Sequence, residues 1–212
     1  PASARSQDYA RRAQARGAAL AAEQRAAARE IVQRGLRAGA SPREIAEDVA
    51  RVIGLAPRQI EAIENYRRLL QAGSAEALTR ELRDRSFDPQ VRAAARAGEP
   101  LSVAQIRQMT QRYAERQLLY RAAVIAQMEA QSAVGAAADE VYQQAVESGK
   151  ILATDLERIW ETQLDPKVRD SHDFMHGQRQ FIGQPFLSGD GNRLRYPGDI
   201  DAPISDTANC RC

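Results

Sequence analysis

The chain has 212 residues, 43% hydrophobic and 5% aromatic, with 30 Lys and Arg against 28 Asp and Glu. That length suits one large domain or two small ones, and apolar content drawn mostly from Ala, Leu, Val and Ile suits helices better than a sheet sandwich. The net charge of +2 is too small to argue for nucleic acid by itself, no run of about 18 uncharged apolar residues offers a membrane span, and two cysteines cannot build a multi-bridge disulfide framework.

The positive charge is nearly all arginine, Lys150 and Lys167 being the only lysines. No signal-peptide pattern is present, and because the chain opens at Pro1 an upstream segment is expected to have been removed or left out.

In chain order, "SARSQDYARRAQARGAALAAEQRAAAREIVQRGLRAG" reads as one long helix closed by Gly35 and Gly39. Its apolar stripe is thin until Ile31, Val32 and Leu36, so an arm over about residues 1–38 is expected to order against a partner. "SPREIAEDVARVIG" follows, with Ser41 and Glu44 as a capping box, Pro42 at the first helical position, and Ile45, Val49, Val52 and Ile53 as its buried face. In "APRQIEAIENYRRLLQAG", Pro57 opens a helix that places Ile60, Ile63, Tyr66 and Leu70 on one side and ends at Gly73. Ser74 opens a further short helix through Leu82, which completes a first region, 1–85.

"SFDPQVRAAARAGEPLS", with Pro89, Gly98 and Pro100, is expected to be a linker over 86–101. Ser102 and Gln105 then make a second capping box, and no proline interrupts the chain before Gly149, which predicts a long central helix over 102–149. A helix of that length must pack as a spine, through Ile106, Met109, Tyr113, Leu118, Tyr120, Val124, Ile125 and Met128.

The grammar changes over 150–212. "ILATDLERIWETQLD", around the only tryptophan, Trp160, fits a helix or a strand. "DPKVRDSHDFMHGQ" reads as about three turns of helix, with Asp165 as N-cap, Pro166 at N1 and Gly177 as terminator; His172 and His176 would then share a face. "SGDGN" is a turn whose flanks could pair as a hairpin. The expected fold is therefore mainly α: an elongated helical arm and bundle, a long central helix, and a small C-terminal α+β module with a short hairpin.

Several of these pieces, in this order, resemble a known family. "RAAVIAQMEAQSAVGAA", "SGKI" with Trp160, "DPKVRDSHDFMHGQ" with Asp165, Arg169, His172 and Gly177, "YPGD" with Pro197, Gly198 and Asp199, and "NCRC" with Cys210 and Cys212 are similar to the phage Mu F-like minor head proteins of tailed bacteriophages. The likeness covers about Tyr120 to Cys212. It implies a structural protein present in a few copies per virion, near the portal vertex or inner capsid, acting in head assembly, DNA packaging or ejection. The implied partners are portal or capsid proteins and packaged DNA, with assembly in the host cytoplasm. The rival readings are a DNA-binding protein that uses the arginine-rich helices and an effector adaptor built on the same module.

All histidines and cysteines, His172, His176, Cys210 and Cys212, lie in this last part of the chain. Some relatives carry C-x-x-C and H-P-x-C-R-C in these places; here Arg169 and His172 stand for the first two cysteines and Thr207 for the histidine. His176 could restore a four-donor zinc site with His172, Cys210 and Cys212. Alternatively Arg169 and His172 hydrogen-bond the tail over buried thiols, a reading favoured by a spacing that matches no standard zinc knuckle, or Cys210 and Cys212 form a strained disulfide. A thiol nucleophile with His and Asp173, Asp199 or Asp201 is the enzymatic reading. It is set aside because no oxyanion-hole loop accompanies the C-x-C, and no P-loop or dinucleotide fingerprint occurs either.

Overall fold

The computed structural model describes residues 22–199 and 201–212. The fold is mainly helical, with a small C-terminal region of short antiparallel strand pairs. Helix α1 is described over 22–38 and is followed by α2 (Pro42–Val52), α3 (Pro57–Gln71), α4 (Asp88–Ala97) and α5 (Val103–Glu147), then by β1 (Glu157–Ile159), α6 (Asp170–Asp173), β2 (Arg179–Phe181), β3 (Phe186–Leu187), β4 (Arg193–Leu194) and α7 (Ile204–Thr207). The arm expected over 1–38 lies outside the described residues as far as 21. Beyond that, Ala28 and Val32 of α1 are fully buried within this chain, and Arg29 pairs with Glu129 of α5 at 2.7 Å.

The chain forms two compact units, Ala46–Ala123 and a second made of the residues up to Ile45 with Val124–Cys212. Both local capping devices read from the sequence are present. The Ser41 backbone N–H donates to Glu44 at 2.9 Å, and that of Ser102 donates to Gln105 at 3.0 Å. Each removes an orphan donor from a helix start.

In the unit Ala46–Ala123, α3, α4 and the first part of α5 enclose a core of Ile63, Tyr66, Leu70, Ala77, Val91, Leu101, Met109 and Tyr113. Four expectations change here. Ile60 is half exposed, and Gln59 takes its place on the buried face. The Gln59 amide explains the exchange, because it accepts from the Ala56 N–H at 2.9 Å and donates to the Gln117 carbonyl at 2.8 Å. Tyr120 of the expected spine stripe is exposed as well. The stretch 86–101, expected as a linker, instead folds as α4, closed by Gly98 at φ 66°, with Val91 in the core. Its anchor is Asp88, which takes a two-pronged bond from Arg83 at 2.8 and 2.9 Å. Ser74 caps a single 3₁₀ turn, Ala75–Thr79, where a helix through Leu82 was expected.

In the second unit, β1 pairs with β2 and β3 with β4, both antiparallel. The ambiguous segment around Trp160 thus resolves as a strand, and the flanks of "SGDGN" pair as expected. Trp160, Met175, Phe186 and Leu194 form the core, with Cys212 packed against it. The region docks on the later turns of α5. A Cβ at Gly135 would lie 2.5 Å from the Tyr196 ring, and one at Gly198 would lie 3.2 Å from the Ser132 nitrogen. Glycine at 135 and 198 is therefore a condition of that close approach. Arg158 reinforces it from β1, pairing with Asp139 of α5 at 2.8 Å and donating to the carbonyls of Arg195 and Gln184.

Candidate metal centre

"DPKVRDSHDFMHGQ" does not form three turns of helix. Arg169 is extended, at φ −74° and ψ 149°, so only Asp170–Asp173 is helical. Asp165 opens a turn instead, accepting from the Lys167 N–H at 2.8 Å. The break has a purpose in packing: an extended Arg169 sends its guanidinium to the carbonyls of Ser205 and Ala208. Asp165 pairs with Arg211, whose Nη2 also donates to Gln163 Oε1 at 2.9 Å. Asp165 and Arg169 therefore both bind the tail.

The backbone of the tail explains why its cysteines are one residue apart. Alternate residues of an extended segment face opposite ways. Arg211 points outward to Asp165 and Gln163, and its carbonyl accepts from the Gln163 N–H at 3.0 Å, while Cys210 and Cys212 both turn toward His172. His172 Nδ1 lies 3.2 Å from Cys212 Sγ and 3.6 Å from Cys210 Sγ. The Cys212 carbonyl accepts from Gln131 of α5 at 3.2 Å. Cys210 and His172 are buried, and Cys212 is partly exposed.

His176 does not join this group. The helix ends before it, its ring is exposed, and its Nδ1 accepts from the Thr162 N–H at 3.1 Å. Of the four expected donors, the structure brings together His172, Cys210 and Cys212, whose ligand atoms all lie within 4.8 Å of one another. The donor set fits zinc. Two thiolates and an imidazole at bond lengths of about 2.0–2.3 Å around a tetrahedral ion stand roughly 3.5–3.8 Å apart, and the two nitrogen–sulfur separations here, 3.2 and 3.6 Å, are near that range. The expected alternative in which Arg169 and His172 bind the tail over free thiols is also present in its parts, since the arginine grips the tail and both cysteines are unpaired.

Electrostatics favour a thiolate in this place. A hydrogen bond from Cys212, opposed by burial, holds Cys210 far below the ordinary thiol range. Cys212 is pushed the other way by its bond to Cys210 and by burial.

A residue the sequence reading passed over completes the group. Asp206, within α7, is fully buried, and its Oδ1 lies 3.5 Å from His172 Nε2. Its other oxygen accepts from Asn192 Nδ2 at 2.8 Å. The carboxylates considered earlier are elsewhere: Asp173 is exposed, and Asp199 is buried under Arg195 at 2.9 and 2.6 Å, which fixes the "YPGD" loop, while Asp201 pairs with the same arginine. No local pattern sets Asp206 apart from Asp201 in the sequence; only the fold brings it under the imidazole.

The remaining motif residues frame the centre. The Trp160 ring meets His172 edge-on at 5.8 Å and Phe186 at 5.2 Å. Gly177, at φ 79°, donates its N–H to the Trp160 carbonyl at 2.8 Å. Among the described residues no helix is long and apolar enough to cross a membrane. Comparison with protein-family models, with curated proteins and with solved structures gives no match.

Proposed function

We propose that the chain is a structural minor head protein of a tailed bacteriophage, of the Mu F-like kind, docking on portal or inner-capsid proteins during head assembly, DNA packaging or ejection. One observation carries this reading: the separated sequence pieces on which the resemblance rests meet one another in space. Gly135 of "SAVGAA" seats Tyr196 of "YPGD", Asp165 and Arg169 hold the tail, and His172 faces the two cysteines of "NCRC". Zinc is the ion we assign to the centre, held by His172, Cys210 and Cys212, where it would fasten the tail to the helix-and-strand body.

Later turns of α5 leave Val134 and Val141 exposed beside Tyr142, which accords with a chain that completes its packing on an assembly. Quantitative mass spectrometry of purified particles is the decisive test. The chain should be present at a fixed ratio to portal, and deletion of its gene should reduce infectious particles. Absence from particles together with unchanged yield and infectivity on deletion overturns the proposal.

A further inference from the structure

Resting on the zinc reading above, we infer that the centre is an open site with three protein donors, and that Asp206 is the positioning residue that makes His172 bind through Nδ1. Asp206 Oδ1 and His172 Nε2 are both buried, lie 3.5 Å apart, and neither has any hydrogen-bond partner. An unpartnered carboxylate oxygen and ring nitrogen enclosed together are costly unless a proton lies between them. A carboxylate can only accept, so the proton belongs on Nε2, and the lone pair of Nδ1 is left facing the two sulfurs at 3.2 and 3.6 Å. A carboxylate behind a ligating histidine in this manner fixes its tautomer and orientation and raises its basicity. Asn192 holds the second oxygen of Asp206 at 2.8 Å, and the Ser188 and Asn192 backbones hold each other through a 2.8 Å bond, so the carboxylate is itself anchored to the β3–β4 turn.

The ligand count gives the second half of the inference. Three donors converge, and among the described residues no fourth His, Cys, Asp or Glu joins them. Structural zinc sites are closed by four protein ligands, whereas a three-ligand set keeps one position for an exogenous donor. Cys212 is the partly exposed member of the group, so that position opens on its side.

The test uses the full chain with cobalt(II) as a spectroscopic stand-in for zinc, and ¹⁵N-detected NMR of the zinc-loaded protein. With two histidines in the chain, H176Q assigns the ring signals. We expect one metal per chain with charge transfer from two thiolates, a His172 ring protonated at Nε2 and metal-bound at Nδ1, and affinity about 10- to 100-fold weaker in D206N. Added imidazole or azide should shift the cobalt ligand-field bands. Failure of the wild-type chain to bind either ion overturns the zinc reading and this inference with it. Binding with the opposite tautomer, or with equal affinity in a folded D206N, overturns the role of Asp206 alone. A cobalt spectrum indifferent to added donors overturns the open position. Because the tautomer is read on the wild type, the proposal can fail even if D206N does not fold.

Discussion

The helical unit Ala46–Ala123 and the C-terminal region from β1 onward are held together by different physics. The first encloses a continuous apolar cluster of eight residues, from Ile63 to Tyr113, with the Arg83–Asp88 pair at its margin. The second has a cluster of four large buried apolar residues, Trp160, Met175, Phe186 and Leu194, and beside it a set of buried polar groups that includes Thr162, His172, Ser188, Asp199, Asp206 and Thr207. Helices satisfy their own backbone and need only a face to bury. Strands of two or three residues do not, so this region binds its loops with side chains and fastens its tail at a Cys/His centre.

The largest effects should come from the cores and should stay separate. Trp160→Ala is expected to cost about 3–5 kcal/mol and Leu70→Ala about 2–5 kcal/mol. Hydrogen exchange resolved by region should show each loss confined to its own unit. Equal loosening in both from either substitution would mean that the two cores are one cooperative structure.

Next in size is the centre. Cys210→Ala should loosen the tail and the β3–β4 turn by about 1–3 kcal/mol, more if zinc is lost with it, while leaving Ala46–Ala123 unchanged. Melting in the presence and absence of chelator separates the two contributions: a chelator-insensitive transition leaves packed thiols and the Arg169 grip as the fastening. Tail exchange and melting unaltered in both Cys210→Ala and His172→Ala would show that tail and body are not coupled through this group.

A smaller change probes the seat on α5. Gly135→Ala gains about 1 kcal/mol of helix preference but drives a methyl to 2.5 Å from the Tyr196 ring. Overpacking of this kind costs about 1–3 kcal/mol. Because Tyr196 is buried, net destabilisation of the C-terminal region is expected in a thermal melt. A rise in melting temperature would show that the loop yields freely.

Acid should produce the mildest difference. Asp88 is held below the usual carboxylate range by the Arg83 bond, against burial. Burial is the largest single influence on Asp199 and raises it, but bonds from the Arg195 side chain and from the Arg195 and Asp201 backbone outweigh it, and the net shift is downward. A depressed carboxylate contributes stability that is complete above its unfolded value, about 3.9, and is lost as pH falls through the lower folded value. Both regions should therefore weaken below about pH 4, and D199N should flatten the acid limb of the C-terminal region without altering that of the helical unit.

Local features were legible in the sequence because their causes are local. The Ser41–Glu44 and Ser102–Gln105 boxes, the closing glycines at 73 and 149, and the long α5 each depend on residues within a few positions of one another. The same local grammar misled where distant partners intervened. A well-formed N-cap, N1 proline and terminal glycine suggested a helix from Asp165 to Gly177, yet Arg169 and Asp165 bind residues 205–211 and break it. The polar look of 86–101 concealed α4, whose anchor Asp88 depends on Arg83 and whose Val91 depends on a core assembled from three other segments.

By itself, the sequence determined the helical class, the two capping boxes, and the concentration of His and Cys in the last part of the chain. Tertiary structure decided which of those donors meet. His172 and His176 are equally good ligands on paper, but which of them meets the cysteines depends on where a helix stops and where an extended tail returns, and Asp206 comes within 3.5 Å of the imidazole only through that return. Short-range sterics and hydrogen bonding select elements residue by residue, whereas a binding centre is a coincidence of segments some forty positions apart, fixed by the packing of the whole region.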